Sequence, residues 1–285
     1  MRILVFIIMV FMALPVQAAE SWLLSADKAV ALIPDATVLD TRGGATFGLS
    51  HVEGSTRVTW KEFSKTKSSD RGELLSDKAL QKAIERVGVR NDRTVIVVGD
   101  PDAWGEDGRV VWMLRAAGHE AVFMVDGGYP ALKKAGAATS VGFSHPQSDG
   151  EFKIRWQPKL TSTSADVKAA LASGKTVILD VREQREYDGK TPYGESRGGH
   201  VPGAKHLWFK DLLEKDGTLR SRSDLEKELT ARGVTRDVPV IAYCTGGIRS
   251  GWMVAVLVSM GYQVSNYAGS MWQWSSLPER DFPLE

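Results

Sequence analysis

Short runs of apolar, largely β-branched residues punctuate the chain, and the segments between them carry apolar positions at helical spacing. Val95-Ile96-Val97-Val98 and Val240-Ile241-Ala242-Tyr243 are two such runs, long enough for a buried strand and too short for a buried helix. In the second half the pattern predicts a helix over Ala165–Ala172 capped by Ser164, then a strand over Thr176–Val181. A helix over Leu225–Arg232 follows, stopped by Gly233. A strand over Val238–Tyr243, a helix over Ser250–Met260 and a strand over Gln263–Tyr267 complete the order. Alternation of this kind implies the α/β class: a mainly parallel sheet with helices on both faces, and ligands bound at the carboxyl ends of the strands.

The pattern occurs twice. Thr37-Val38-Leu39-Asp40-Thr41-Arg42 returns 140 residues later, from Asp40 to Asp180, as Val177-Ile178-Leu179-Asp180-Val181-Arg182. His51-Val52-Glu53-Gly54-Ser55 returns as His200-Val201-Pro202-Gly203-Ala204, and Gly127-Gly128-Tyr129-Pro130 corresponds to Gly269-Ser270-Met271-Trp272. Matched blocks in one order imply two homologous domains, expected over residues 19–145 and 146–285 and joined by the polar stretch around Ser140 to Gly150.

Residues 1–18 belong to neither unit. Met1-Arg2 is a short positive start, Ile3 to Leu14 is nearly all apolar, and small residues follow at Ala18-Ala19. That is the pattern of a secretory signal peptide cleaved after Ala18, the alternative being an uncleaved anchor. The expectation is an exported, periplasmic protein with no stable membrane association after cleavage. The remainder has an ordinary soluble composition, 43% hydrophobic and 25% charged with a formal net charge of +1, and nothing in it points to a nucleic-acid partner. Nine tryptophans are many. Trp104, Trp112, Trp252, Trp272 and Trp274 lie in or beside apolar segments, where they are expected to pack a core or wall a pocket.

Export changes the meaning of the single cysteine, Cys244. It cannot form an internal disulfide, and one thiol with five histidines that lack metal-ligand spacing predicts neither a metal site nor a cofactor. Cys244 ends an apolar strand and is followed by Thr245-Gly246-Gly247-Ile248-Arg249-Ser250 and then an apolar helix. Glycines there let successive N–H groups converge on one point, and the following helix adds its positive end. Such a setting lowers a thiol from its usual value of roughly 8.5. The competing reading, a buried thiol serving as a small hydrophobe, leaves the Gly-Gly loop and Arg249 unexplained. Cys244 is therefore predicted to be a nucleophile. In the C-x5-R loop of cysteine phosphatases the arginine grips a tetrahedral phosphoryl group; here Arg249 follows after one residue fewer, and the loop suits a single sulfur atom.

These residues resemble the rhodanese family of sulfurtransferases in its tandem-domain form. The resemblance rests on Asp180-Val181-Arg182 with Glu186-Tyr187, the turn Gly199-His200-Val201-Pro202-Gly203-Ala204, and the loop Cys244 to Ser250. The first half is similar to the family's inactive domain, with Val97-Val98-Gly99-Asp100-Pro101-Asp102 where a cysteine loop would begin. The resemblance implies one site near the interface of the halves, where Cys244 takes sulfane sulfur from a small donor, thiosulfate or a mercapto-acid. The persulfide then passes it to cyanide or a thiol. Thr245, Gly246, Gly247, Ile248, Arg249 and Ser250 are expected to cradle the substrate, with Arg249 open to a structural salt bridge across the domain interface instead. Arg185 stands near the position of the family's substrate-binding arginine, one residue out of register. Arg182 and Glu186 are expected to pair or to hold the loop, and Asp180 to accept backbone N–H bonds near it. A persulfide carrier without fast turnover is the non-enzymatic alternative.

Overall fold

The two repeat units form two five-stranded sheets of the same parallel topology. In the first, the spatial order is Leu23–Leu24, Val122–Val125, Val95–Val98, Thr37–Asp40, Thr56–Arg57. In the second it is Thr161–Ser162, Val264–Tyr267, Val240–Tyr243, Val177–Asp180, Lys205–His206. The computed structural model describes residues 21–67, 70–146 and 150–285, so the expected signal peptide lies outside the described residues. Among the described residues no helix is long and apolar enough to cross a membrane.

Local chemistry sets the element ends, which differ from the periodicity by a residue or two. Pro239 has no N–H to give, so the cysteine strand's ladder begins at Val240 rather than Val238. The helix expected from Ser164 is capped one residue earlier by Thr163, because Thr163 and Asp166 satisfy each other's orphan donors in a capping box. The helix expected from Ser250 runs Ile248–Ser259, since Gly247 takes φ 81° at its N-cap and turns the chain into the helix two residues sooner.

The halves meet through the helices Glu106–Ala116 and Ile248–Ser259, both buried along most of their length. Two glycines allow the approach: a Cβ on Gly108 would stand 2.4 Å from the Cα of Trp252, and one on Gly251 would stand 3.0 Å from the Cα of Arg109. One apolar core runs across this contact, from Leu39, Val97 and Trp112 of the first half to Ala242, Met253 and Leu257 of the second. Each sheet's other face has its own smaller core. The carboxyl ends of both central strands therefore lie beside a dry interface that holds them rigidly.

Register makes Gly99 the counterpart of Cys244, because Val98 stands opposite Asp40 as Tyr243 stands opposite Asp180. The space that a cysteine side chain would need is taken. A Cβ on Gly99 would lie 2.2 Å from Asp107 Oδ2, and burial pushes that carboxyl up to about 7. The first half thus has no counterpart of the Cys244 side chain.

Candidate active site

Cys244 sits at the carboxyl end of the central strand Val240–Tyr243, at the floor of a cavity of about 360 Å³. Its Sγ is almost wholly covered, and the covering is polar where it counts. The Gly247 amide donates to Sγ at 3.1 Å, and the Ser250 hydroxyl lies 3.5 Å away. Gly247 can point its N–H inward because it adopts a left-handed φ. Gly246 is needed for close approach, since a Cβ there would lie 2.1 Å from the Trp272 ring. Burial pushes the thiol up, but the Arg249 charge, the Ser250 hydroxyl and the Ser250 and Gly246 amides outweigh it and hold the thiol below its ordinary value.

Ser250 has one proton and two acceptors. Its hydroxyl is 2.7 Å from Asn266 Oδ1, whose amide is oriented by donating Nδ2–H to the Gly247 carbonyl at 3.1 Å. The hydroxyl is best satisfied on Asn266 while the sulfur is a thiol, and a thiolate is the stronger acceptor that draws it across.

A second loop braces the first. Ser270 accepts the Cys244 N–H at 3.1 Å, while Met271 N–H donates to the Cys244 carbonyl and Trp272 N–H to that of Thr245. Ser270 is the one non-glycine residue with positive φ among the described residues, at 49°, and its counterpart in the first half is Gly128 at 56°. A strained backbone is retained where the hydroxyl caps the Cys244 amide. Sequence reasoning missed this residue, although the repeat alignment already set Ser270 against a glycine.

Arg249 is anchored beside the cavity, its guanidinium 5.2 Å from the Trp104 ring centroid and 5.7 Å from that of Tyr193. Its guanidinium meets Glu186 at 2.5 and 2.8 Å and Thr245 Oγ1 at 2.5 Å, and Thr245 donates to Glu186 at 2.6 Å. Burial opposes the Glu186 carboxylate, but Arg249 and Thr245 more than offset it and keep it below the usual range. The expected salt bridge is therefore present, but inside the second half and not across the interface. Arg249 still contributes to the cavity wall, with its charge beside the sulfur and its hydrogen bonds committed to Glu186.

The other predicted residues fall behind the wall. Arg182 pairs with Asp180 at 2.7 Å, not with Glu186. Asp180 accepts the backbone N–H of Arg182 and the hydroxyl of Tyr243, so it anchors the cysteine strand and takes no amide from the cysteine loop. Arg185 is exposed and holds Glu183 and the hydroxyl of Tyr193, one layer outside the cavity. Ile248 and Thr245 line it.

Several contributors come from far along the chain. Arg109, fully buried on the first half's interface helix, donates to the Gly247 carbonyl at 3.0 Å, to Ser64 Oγ at 2.9 Å and to the Gly72 carbonyl at 2.6 Å. Burial pulls its guanidinium down to about 9, and the nearby Cys244 anion opposes that shift. Trp60, Lys61, Trp104 and Glu106 of the first half, with Tyr193 and Trp272 of the second, complete the wall. The pocket-wall expectation for Trp104 and Trp272 describes where they stand, whereas Trp112 and Trp274 are core residues. Among the described residues no group of His, Cys, Asp and Glu is arranged to hold a metal ion.

Comparison with known proteins places this geometry. Residues 25–135 and 163–277 each match the family model of the Rhodanese-like domain. The chain is 30% identical over 257 residues to a putative thiosulfate sulfurtransferase, SseB, of Mycobacterium tuberculosis, covering 86% of this chain and 89% of that one. It is 28% identical over 247 residues to the sulfur carrier protein TtuD of Thermus thermophilus, covering 81% and 84%. Its fold matches the 3-mercaptopyruvate sulfotransferase SseA of Escherichia coli with a TM-score of 0.76 at 24% identity, over 88% of this chain and 99% of that one. With one cysteine loop built, the other filled, and both repeats matched, the chain belongs to the rhodanese family as a tandem of two rhodanese-like domains.

Proposed function

We propose that this protein is a sulfurtransferase working through a persulfide on Cys244, with thiosulfate as the donor. The Cys244 thiolate attacks the outer, sulfane sulfur of thiosulfate. The bond between the two sulfurs of the donor breaks, sulfite leaves with the electron pair, and the sulfur remains on Sγ as Cys–S–S⁻. An acceptor thiol, or cyanide in an assay, then attacks the outer sulfur and returns Cys244 to the thiolate. Sulfur oxidation states are exchanged within each step, so no external oxidant is required. The observation that carries the reading is the Gly247 amide 3.1 Å from Sγ, in a loop whose neighbouring amides and Ser250 hydroxyl are set to spread the charge of one more sulfur. Similarity to proteins named as thiosulfate sulfurtransferases supports the same chemistry.

Mercaptopyruvate is the alternative donor, and similarity to a protein named as a sulfur carrier supports a carrier role as the second reading. Thiocyanate formation from thiosulfate and cyanide, run beside mercaptopyruvate, separates them. Turnover that vanishes in Cys244→Ala supports the enzyme. A stoichiometric persulfide with negligible turnover supports the carrier, and turnover surviving in Cys244→Ala refutes both. The leader-like residues 1–18 favour work outside the cytoplasm, as a periplasmic protein acting on small molecules. Retention of the full-length chain in the cytoplasmic fraction of an expressing bacterium would refute that part.

A further inference from the structure

The cavity above Cys244 is larger and more aromatic than the assay substrates need. Its volume of about 360 Å³ falls among sites for small organic ligands. Thiosulfate or cyanide would fill a small part of it and leave water against indole. Four rings stand around the sulfur, two from each half. Trp60 and Trp272 lie 6.1 Å apart at 32°, while Trp104 and Tyr193 lie 5.5 Å apart at 75°. They are held in place. Arg71 stacks on Trp272 with its guanidinium 3.6 Å from the ring centroid and donates to the Tyr193 carbonyl at 2.9 Å. Trp272 Nε1 donates to that same carbonyl at 2.9 Å, and Glu106 accepts the Trp104 amide at 2.9 Å. Trp104 is nevertheless 40% exposed, an apolar area left to water at the mouth of the site. Arg249 lies 5.2 Å from the Trp104 ring centroid and the Lys61 ammonium 5.9 Å from that of Trp60, and a ligand with a face of its own matches the indole surface these cations leave uncovered beside Cys244.

We propose that this cavity binds the sulfur acceptor, and that the acceptor is an organic thiol carrying a flat apolar ring, which packs against Trp60 and Trp104 while its sulfur faces Cys244. The inference rests on Cys244 acting as the persulfide carrier. In the transfer step the acceptor thiol attacks the outer sulfur of Cys–S–S⁻ and gives up its proton as it does so. The bond from that sulfur to Sγ breaks, its electron pair stays on Sγ as thiolate, and the proton leaves with the transferred sulfur as R–S–SH. The first half thereby acquires a part in the reaction: it supplies two of the four rings that select the acceptor.

The test compares 2-phenylethanethiol with 2-cyclohexylethanethiol, of similar size and apolar area but without a flat ring, as acceptors from thiosulfate-loaded protein. An aromatic contact is worth about two- to twelvefold, so kcat/KM should favour the phenyl compound by about tenfold. The ratio of the two values should fall towards one in Trp60→Ala and Trp104→Ala, whatever their cyanide rate. Equal use of the two thiols by the native protein, or a preference that survives both substitutions, would overturn the acceptor assignment while persulfide transfer to cyanide stood. Failure of the native protein to form any persulfide would remove the sulfurtransferase reading and the acceptor assignment with it.

Discussion

If Arg249 acts on Cys244 through its charge, with its hydrogen bonds committed to Glu186, then the thiol must respond to both members of that pair in opposite directions. Both side chains are buried, at 4% and 0% exposure, and they share two contacts of 2.5 and 2.8 Å. Arg249→Met removes the positive charge that helps hold the thiol below its ordinary value, so the Cys244 thiol should titrate higher. It also strands a buried carboxylate, at a cost of about 3–5 kcal/mol in stability. Glu186→Gln leaves the guanidinium uncompensated and should lower the thiol further. The double variant removes both charges, so its thiol should titrate above the native protein and no higher than Arg249→Met. Its stability should recover part of the loss. The chain has one cysteine, so iodoacetamide alkylation rate against pH reads Cys244 alone, and urea unfolding reads the stability. An Arg249→Met thiol that titrates with the native one, or a Glu186→Gln thiol that titrates above it, would refute this electrostatic account.

Ser270 offers a test of strain against hydrogen bonding. Ser270→Gly and Ser270→Ala both uncap the Cys244 amide, but only the alanine keeps the penalty of φ 49°, so the glycine variant should be the more stable by about 1 kcal/mol in urea. Gly246→Ala should displace the Trp272 ring, which a Cβ would meet at 2.1 Å, and reduce sulfur transfer by about tenfold or more, with a changed near-ultraviolet dichroism and an unchanged helix content. The folded thiol titrates below its ordinary value, so its contribution to stability is complete above the unfolded value and is lost as pH falls through the folded one. Cys244→Ser should therefore flatten the pH dependence of the urea midpoint in that window and leave it unchanged at lower pH.

What the amino-acid sequence determined by itself is whatever local pattern encodes. Strand runs, helical spacing and the twofold recurrence of the Asp-x-Arg block follow from backbone propensity and burial period, and these sufficed for the α/β class and the paired domains. The shape of the loop after Cys244 was legible for the same reason: the glycines that curl it are its neighbours, and Gly247 does adopt the left-handed turn that its position requires. Element ends shifted by a residue or two where a single donor decided the matter, at Pro239 and Thr163. Tertiary structure alone decided the partners. Glu186 reaches Arg249 across 63 residues, and Arg109 reaches the Gly247 carbonyl across 138, because sheet register and the glycine-lined helix contact bring them together. Nothing in the neighbourhood of Trp60 or Trp104 marks either as facing a sulfur in the other half. A cavity wall has no sequence period: it is the surface left over when two packed units fix their relative positions, and it exists only once both have folded.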